Sequence, residues 1–493
     1  MQAGGNLRVA ARFLSASSRR TIPAHHAALA NGGARPYMRR MASPPNPEQS
    51  TLSGRIARFA KVGANLGGFA TGVAAARVGG RALDDPKNAV ELKRVLGELK
   101  GPLMKLAQIL GNIPDAVPPE FARQLSELQA NAPPMGAGFV RRRMVGELGA
   151  DWRQKFVDFT PEAVSAASLG QVHKATLASG ETVAVKLQYP DMASAVEADL
   201  GQLDLMLSLF KRVDGSINTS EIRDELADRL REELDYTREL KHLLLYRQML
   251  AGEDQVRIPK PVPELSTGRL LTMEWLEGTR LLDWRDSPAE VRNRIAEALF
   301  LAWYRPFYRT GVIHGDPHLG NYTVAHADAD RAVVNLLDFG CVRIFPPAFI
   351  EGVNELYRAI ETNDDDRAAN AFEMWGFKGL NKPICEVLLV WARFLYGPLL
   401  DDRVRPIDID GRPGEYGRAT AQKVHAELKK LGTVTIPAEF VFMDRAAIGL
   451  GGVFIQLGAE LNWSALFRQL MSDFDVEAVS QRQATALSQA GLA

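Results

Sequence analysis

Two short segments carry the oxygen donors that phosphoryl chemistry needs. His314-Gly315-Asp316-Pro317-His318-Leu319-Gly320-Asn321 places an asparagine five residues after an aspartate, and Asp338-Phe339-Gly340 follows the apolar run Val333–Leu337. Magnesium prefers hard oxygen ligands, which Asn321 and Asp338 supply, and Asp316 lies where a base or water-orienting carboxylate belongs. Upstream, Val183-Ala184-Val185-Lys186 alternates as a strand does, so its lysine points out of a sheet towards whatever lies beneath. Before it, Ser165 to His173 is a run of small residues leading into a strand, whose backbone N–H groups can cover phosphates. Its candidate contacts are Ala166, Ala167, Ser168, Gly170 and Gln171. Taken singly, each fragment has an ordinary explanation: a tight turn, an exposed lysine, a solvated carboxylate. The order of all four, with about 150 residues between Lys186 and Asp338, argues for a magnesium-nucleotide site. His314 and His318 also suggest zinc, but no helical i,i+4 frame or third ligand accompanies them.

The elements that must position these residues change character along the chain. Leu92, Val95, Leu96, Leu99, Leu103, Leu106 and Leu110 recur at helical spacing, and Pro114, Pro118 and Pro119 end that helix. A second helix runs from Glu120 to Ala130. A third, containing Arg141-Arg142-Arg143, reaches about Leu148. Strands are expected at Lys155–Thr160, Leu169–Ala178 and Thr182–Tyr189, with Ser179-Gly180 as a hairpin turn. Long helices are expected at Ala193–Lys211 and Glu221–Leu250, then a strand at Arg269–Leu276, and mainly helix after Gly278. Strands first and helices later predict an α+β protein with a small sheet lobe and a larger helical lobe.

Composition bounds the rest. The 493 residues carry 59 basic and 59 acidic side chains, so no global charge draws the chain to nucleic acid, and no nucleic-acid partner is expected. Two cysteines, Cys341 and Cys385, cannot build a disulfide framework. Residues 1–58 hold nine arginines, no lysine and one acid, Glu48. This leader is expected to be a mis-called start upstream of Met41, with an organellar transit peptide as the alternative. The longest uncharged runs, Val62–Ala76 and Ala446–Ala459, are too short to span a bilayer as a helix. The first contains Gly63-x-x-x-Gly67 and Gly68-x-x-x-Gly72, spacing compatible with membrane contact, a homodimer or a plain linker.

Together the motifs resemble the UbiB/AarF (ADCK) family of atypical protein-kinase-like proteins over roughly residues 88–460. The resemblance rests on Ala-Ala-Ser-Leu-Gly-Gln-Val-His at 166–173, His-Gly-Asp-Pro-His at 314–318, Lys105-Leu106-Ala107-Gln108 and Glu233-Leu234-Asp235-Tyr236. Ala107 departs from the family's glycine, which bears on how closely that helix approaches the loop. The resemblance implies a bilobal kinase-like fold with an N-terminal helical extension at 59–150, a sheet lobe at 151–277 and a helical lobe at 278–493. It implies that Lys105 and Gln108, with Glu233 and Asp235, form a lid over the cleft, and that Lys186 pairs with Glu239. Glu274 and Leu276, at the end of the Arg269–Leu276 strand, complete the implied nucleotide contacts.

ATP and Mg2+ are the implied cofactors. The implied function is an ATPase or kinase supporting ubiquinone biosynthesis at a membrane, with lipid or quinone precursors and quinone-biosynthesis enzymes as partners. Peripheral attachment in a bacterial cytoplasm is expected, with the matrix side of the mitochondrial inner membrane as the alternative. A nucleotide-sensing scaffold for lipid-modifying enzymes, a small-molecule phosphotransferase and an ordinary protein kinase are the competing readings. Against the last, no Ala-Pro-Glu or activation segment of normal length lies between Gly340 and Asn363.

Overall fold

The computed structural model describes residues 135–493, apart from 168, 191, 195, 198–199, 201–226, 229, 409–416 and 432–436. Lys105, Gln108, Ser168, the leader and the two helices expected before Pro133 lie outside the described residues. The third expected helix is α1, Ala137–Leu148, which buries Phe139, Val140, Arg143 and Met144. Polar contacts fasten it to the sheet that follows. Arg143 donates to the carbonyls of Gln188 and Tyr189, each at 3.1 Å, while Glu147 pairs with Arg269 at 2.8 Å and accepts from Thr267 Oγ1 at 2.7 Å.

The alternating segments form β1 (Phe156–Phe159), β2 (Ser165–Ala167), β3 (Gly170–Leu177) and β4 (Thr182–Gln188). After α2 (Tyr236–Met249) and the short β5 (Val256–Arg257) comes β6 (Leu270–Glu274). These make one antiparallel sheet in the order β1-β3-β4-β6, with β2 paired to β3. The β3–β4 turn closes as expected: Gly180 takes φ +86°, a left-handed conformation that suits glycine, and donates to Leu177 O at 2.9 Å. Register then assigns faces. Val172, Lys186 and Leu271 stand in one cross-strand row, and Gln171, Leu187 and Leu270 in the next. Since directly paired residues share a face and neighbours along a strand alternate, the sheet has a Lys186 face and an opposite face. On the opposite face Ala175, Val183, Val185 and Leu187 pack with Phe139, Val140 and Met144 into one core. On the Lys186 face Ala184 and Met273 join a second, larger core.

The helix expected to run unbroken from Glu221 to Leu250 is interrupted at Leu234–Asp235. Asp235 Oδ1 accepts the Arg238 N–H at 3.1 Å and starts α2 as its N-cap. A short carboxylate satisfies an orphan N–H there better than it tolerates a helix interior.

The chain beyond Gly278 holds more strand than expected. β7 (Thr279–Arg280) precedes α3 (Ala289–Thr310), and β8 (Val312–His314), β9 (Tyr322–Ala327), β10 (Ala332–Leu336) and β11 (Val342–Ile344) follow. β5, β10, β9 and β7 form a mixed sheet, and β8 pairs with β11. Strands of two to six residues are too short to show a period of their own. Then come α4 (Pro347–Thr362), α5 (Asp365–Met374), α6 (Lys382–Leu400), β12 (Arg405–Pro406), α7 (Arg418–Leu431), α8 (Ala438–Leu457), β13 (Glu460–Leu461), α9 (Trp463–Ser472) and α10 (Val476–Gln489). At the centre of this lobe α3 buries Ile295, Leu299, Trp303 and Phe307. Among the described residues one helix, α6, is long and apolar enough to cross a membrane, by length and composition only. Its Ile384, Leu388 and Leu389 belong to the larger core.

Candidate nucleotide and metal site

The site forms where α2, β4 and the β10–β11 connection meet. Lys186, buried on β4, donates to both carboxylate oxygens of Glu239 at 2.7 and 2.9 Å and to Asp338 Oδ2 at 2.9 Å. The Tyr236 ring lies beneath it, 5.0 Å from Nζ to the centroid. The expected Lys186–Glu239 pair is present, and the cation also holds the aspartate of Asp-Phe-Gly. Burial works against the Lys186 ammonium, but Asp338 and Glu239 outweigh it and raise its pKa well above the ordinary lysine value. Burial alone would raise Asp338 too, yet Lys186, with the Gly340 N–H on Oδ1 at 3.0 Å, holds that carboxyl below the usual range. For Glu239 burial prevails over the pull of Lys186 and pushes the carboxyl upward.

One face of α2 grips the Asp-Phe-Gly segment. One turn beyond Glu239, His242 Nδ1 donates to Phe339 O at 3.1 Å, and burial lowers the pKa of this imidazole to about 3. One turn further, the Tyr246 ring packs 5.4 Å from that of Phe339, which is fully buried. His314 closes the other side. Its Nδ1 accepts the Asp316 N–H at 3.2 Å, so Nε2 carries the proton and donates to Asp338 O at 2.7 Å. Asn321 Nδ2 donates to Asp316 O at 3.1 Å and Oδ2 at 3.0 Å. Asp316, Asn321 and Asp338 are thus drawn together, and Oδ1 is the atom that Asn321 could offer a cation.

The donor set suits magnesium. Among the described residues no group of three His, Cys, Asp or Glu side chains could hold a metal ion. Structural zinc asks for about four protein ligands, whereas magnesium is commonly held by one or two carboxylates plus substrate phosphates. The histidines serve the backbone instead, His318 accepting the Gly320 N–H at 3.1 Å through Nδ1.

Several expected contacts stand differently. Gln171 is fully buried, but on the face away from Lys186, so its side chain is no part of the cleft. Glu274 likewise sits opposite Val183 across the sheet, so its carboxylate turns away from Lys186 and accepts the Lys260 N–H at 3.1 Å. Any nucleotide contact at Glu274 would therefore run through its backbone; Leu276, buried, follows two residues on. Ala167, opposite Gly170, shares the Lys186 face, and Ala166, opposite Gln171, does not. Gly170 has a steric reason to be glycine: a Cβ there would lie 2.4 Å from Leu187 O and 2.9 Å from Tyr236 Oη. Glu233 is half-buried and Asp235 exposed as the cap of α2.

Other residues of the site were not singled out from sequence. Besides Tyr236, His242 and Tyr246, these include Arg343, which pairs with Glu232 at 2.7 Å while its guanidinium lies 5.2 Å from the Phe442 ring of α8. Arg238 also reaches Glu232, at 2.9 Å. Gly449 of α8 abuts Pro317 so closely that a Cβ would come within 2.3 Å of Pro317 Cγ. The spacing of Glu239, His242 and Tyr246 at three and four residues could have revealed the α2 face; the contacts of Arg343 and Gly449 have no local signal.

Comparison with known proteins agrees with this geometry. Residues 127–372 match the ABC1 atypical kinase-like domain. The Caenorhabditis elegans protein named atypical kinase coq-8, mitochondrial, is 30% identical over 86% of this chain and 58% of its own. An uncharacterized protein of Synechocystis is 31% identical over 56% of this chain and 71% of its own. The chain spans little more than half the length of curated relatives such as the nematode kinase. A Mycobacterium tuberculosis protein solved in complex with erythromycin superposes with a TM-score of 0.56 at 29% identity, covering 78% of this chain and 96% of its own. Domain match, relatives and a kinase-like pair of lobes converge on one assignment: the chain belongs to the ABC1/AarF family of atypical kinase-like proteins.

Proposed function

We propose that this protein binds ATP with magnesium between its lobes and acts as an atypical ATPase or phosphotransferase that supports ubiquinone biosynthesis at a membrane. The observation that carries the nucleotide reading is the buried Lys186, held at 2.7 Å by Glu239 and at 2.9 Å by Asp338. In this reading Lys186 would meet phosphate oxygens, Asn321 and Asp338 would hold the cation, and Asp316, which accepts from Asn321 Nδ2, would accept a proton or orient a nucleophile. Bound magnesium would neutralise charge on the phosphates. The role in ubiquinone biosynthesis rests on family resemblance alone.

One feature favours water or a small acceptor over a peptide. α4 begins at Pro347, only seven residues after Gly340, and β11 occupies part of that interval. No room remains for the longer segment on which a protein kinase docks its substrate. A thermal-shift titration of Asp338→Asn tests the nucleotide reading: Mg-ATP should raise the melting temperature of the wild type and leave the variant unmoved. Equal stabilisation of both would remove Asp338 from the site. Phosphate release with and without membranes containing quinone precursors tests the pathway reading, which predicts faster turnover when both are present.

A further inference from the structure

The face of β3 that turns away from Lys186 carries polar side chains where an apolar core would be expected. Gln171 and His173 are both fully buried there. Gln171 accepts the Met135 N–H through Oε1 at 2.8 Å and donates from Nε2 to Met135 O at 3.1 Å. Its side-chain amide thus pairs with both main-chain groups of Met135, as a neighbouring strand would. His173 supports it. Its Nδ1 donates to Thr160 O at 3.0 Å, leaving Nε2 to accept from Gln171 Nε2 at 2.9 Å. Met135 is the residue before the N-cap of α1, and Ala166, Gln171's partner across the β2–β3 hairpin, lies in the loop proposed to cover the phosphates.

We propose that Gln171 is a positioning residue that ties this loop to the point where the chain enters α1, so that nucleotide binding at the loop is felt at Met135. A buried amide offered two hydrogen bonds gives them up at a cost of desolvation, so the contact moves with the hairpin rather than slipping along it. The two ends of the tether differ in support. α1 is anchored independently by Arg143 and Glu147, so a shift of the hairpin tip is taken up at Met135. This inference rests on the nucleotide reading above.

Hydrogen exchange of the full chain, with Mg-ATP as the probe, tests it. In the wild type, Mg-ATP should slow exchange of the Met135 amide. In Gln171→Met and Gln171→Leu, which keep most of the volume without the hydrogen bonds, that amide should exchange about tenfold faster. It should no longer respond to Mg-ATP, while Val185 in the sheet stays protected and the melting temperature still rises with Mg-ATP. Wild type that melts higher with Mg-ATP but shows no change at Met135 overturns the proposal, as do variants that retain the response or loosen Met135 and Val185 alike. If Mg-ATP leaves the wild-type melting temperature unchanged, the nucleotide reading is what fails. The tether is then decided by basal Met135 exchange, and variants equal to wild type overturn it.

Discussion

Ala166 and Ala167 are adjacent in sequence but opposite in the sheet, and only Ala167 lies on the side of Lys186. A glycine at that position would let the backbone approach a phosphate more closely. Ala167→Gly should therefore strengthen ATP binding relative to ADP by several-fold, while Ala166→Gly leaves the ratio as it is. Calorimetric affinities for both nucleotides in the two variants check this, and a ratio that moves only in Ala166→Gly would show the facing to be wrong. His242 gives a second residue-scale test through pH. Its pKa falls from an ordinary value of 6.5 to about 3 in the folded protein, because burial disfavours the charged ring. The unfolded chain then binds the extra proton between those values, so this group's contribution is complete above pH 6.5 and is lost as pH falls towards 3. From pH 7 to 5 the loss amounts to about 2 kcal/mol. Glu239, whose carboxyl is raised by burial, works in the opposite sense over the acidic range. The clean measurement is thus a difference: the stability advantage of wild type over His242→Asn should shrink by that amount on acidification. A constant difference would mean that His242 takes up its proton equally in the folded and unfolded chain.

Contacts between elements depend on side chains that are missing as much as on those present. α8 reaches the segment between β8 and β9 through Gly449, where a methyl would strike Pro317, whereas a methyl at Gly452 on the same helix would meet nothing within 4 Å. Gly449→Ala should cost about 1–3 kcal/mol by overpacking and weaken Mg-ATP stabilisation through the displaced loop. Gly452→Ala should be neutral or stabilise by up to about 1 kcal/mol, since alanine is the better helix former. Urea denaturation of the pair decides it, and equal effects would show that the helix does not position the loop. At this scale the sequence was informative where geometry is local. The β3–β4 hairpin was legible because Ser179-Gly180 sits between two alternating runs, and the ends of β4 fall within a residue of expectation. Even the facing of Gln171 could have been counted: a turn centred on Ser179 sets Val172 opposite Lys186 and leaves Gln171 on the other side. The break at Asp235 was hidden because helix-forming residues continue through it, and the bonds that mark it are the cap on Arg238 N and tertiary bonds from Gln188 to Leu234 O and from Tyr236 N to Gly268 O.

Across the whole molecule, the parts that sequence could not disclose are the ones that join distant segments. Asp316, Asn321, Asp338 and Lys186 announce themselves by type and spacing. That Glu232 would receive Arg343 from 111 residues away could not be read locally. This junction gathers the turn before α2, the strand after Asp-Phe-Gly and, through Phe442, α8. Arg343→Ala should cost about 1–3 kcal/mol, because a partly buried charged hydrogen bond to Glu232 is lost. A double-mutant cycle with Glu232→Gln should return a coupling of the same order. Additive single effects would show the pair to be ornamental to stability. The Asp338→Asn and Arg343→Ala variants then separate two roles: the first should abolish ligand response in a protein of near-normal stability, and the second should lower stability while ligand response persists.

The grip of Gln171 on Met135 involves main-chain atoms on one side only. Every amino acid except proline presents the same N–H and C=O, and the Met135 side chain, exposed, takes no part in the bond. Position 135 should therefore accept substitutions that position 171 does not. Saturation mutagenesis should tolerate almost any residue but proline at 135 and reject nearly all at 171, an asymmetry that pairwise co-variation between the two positions would pass over.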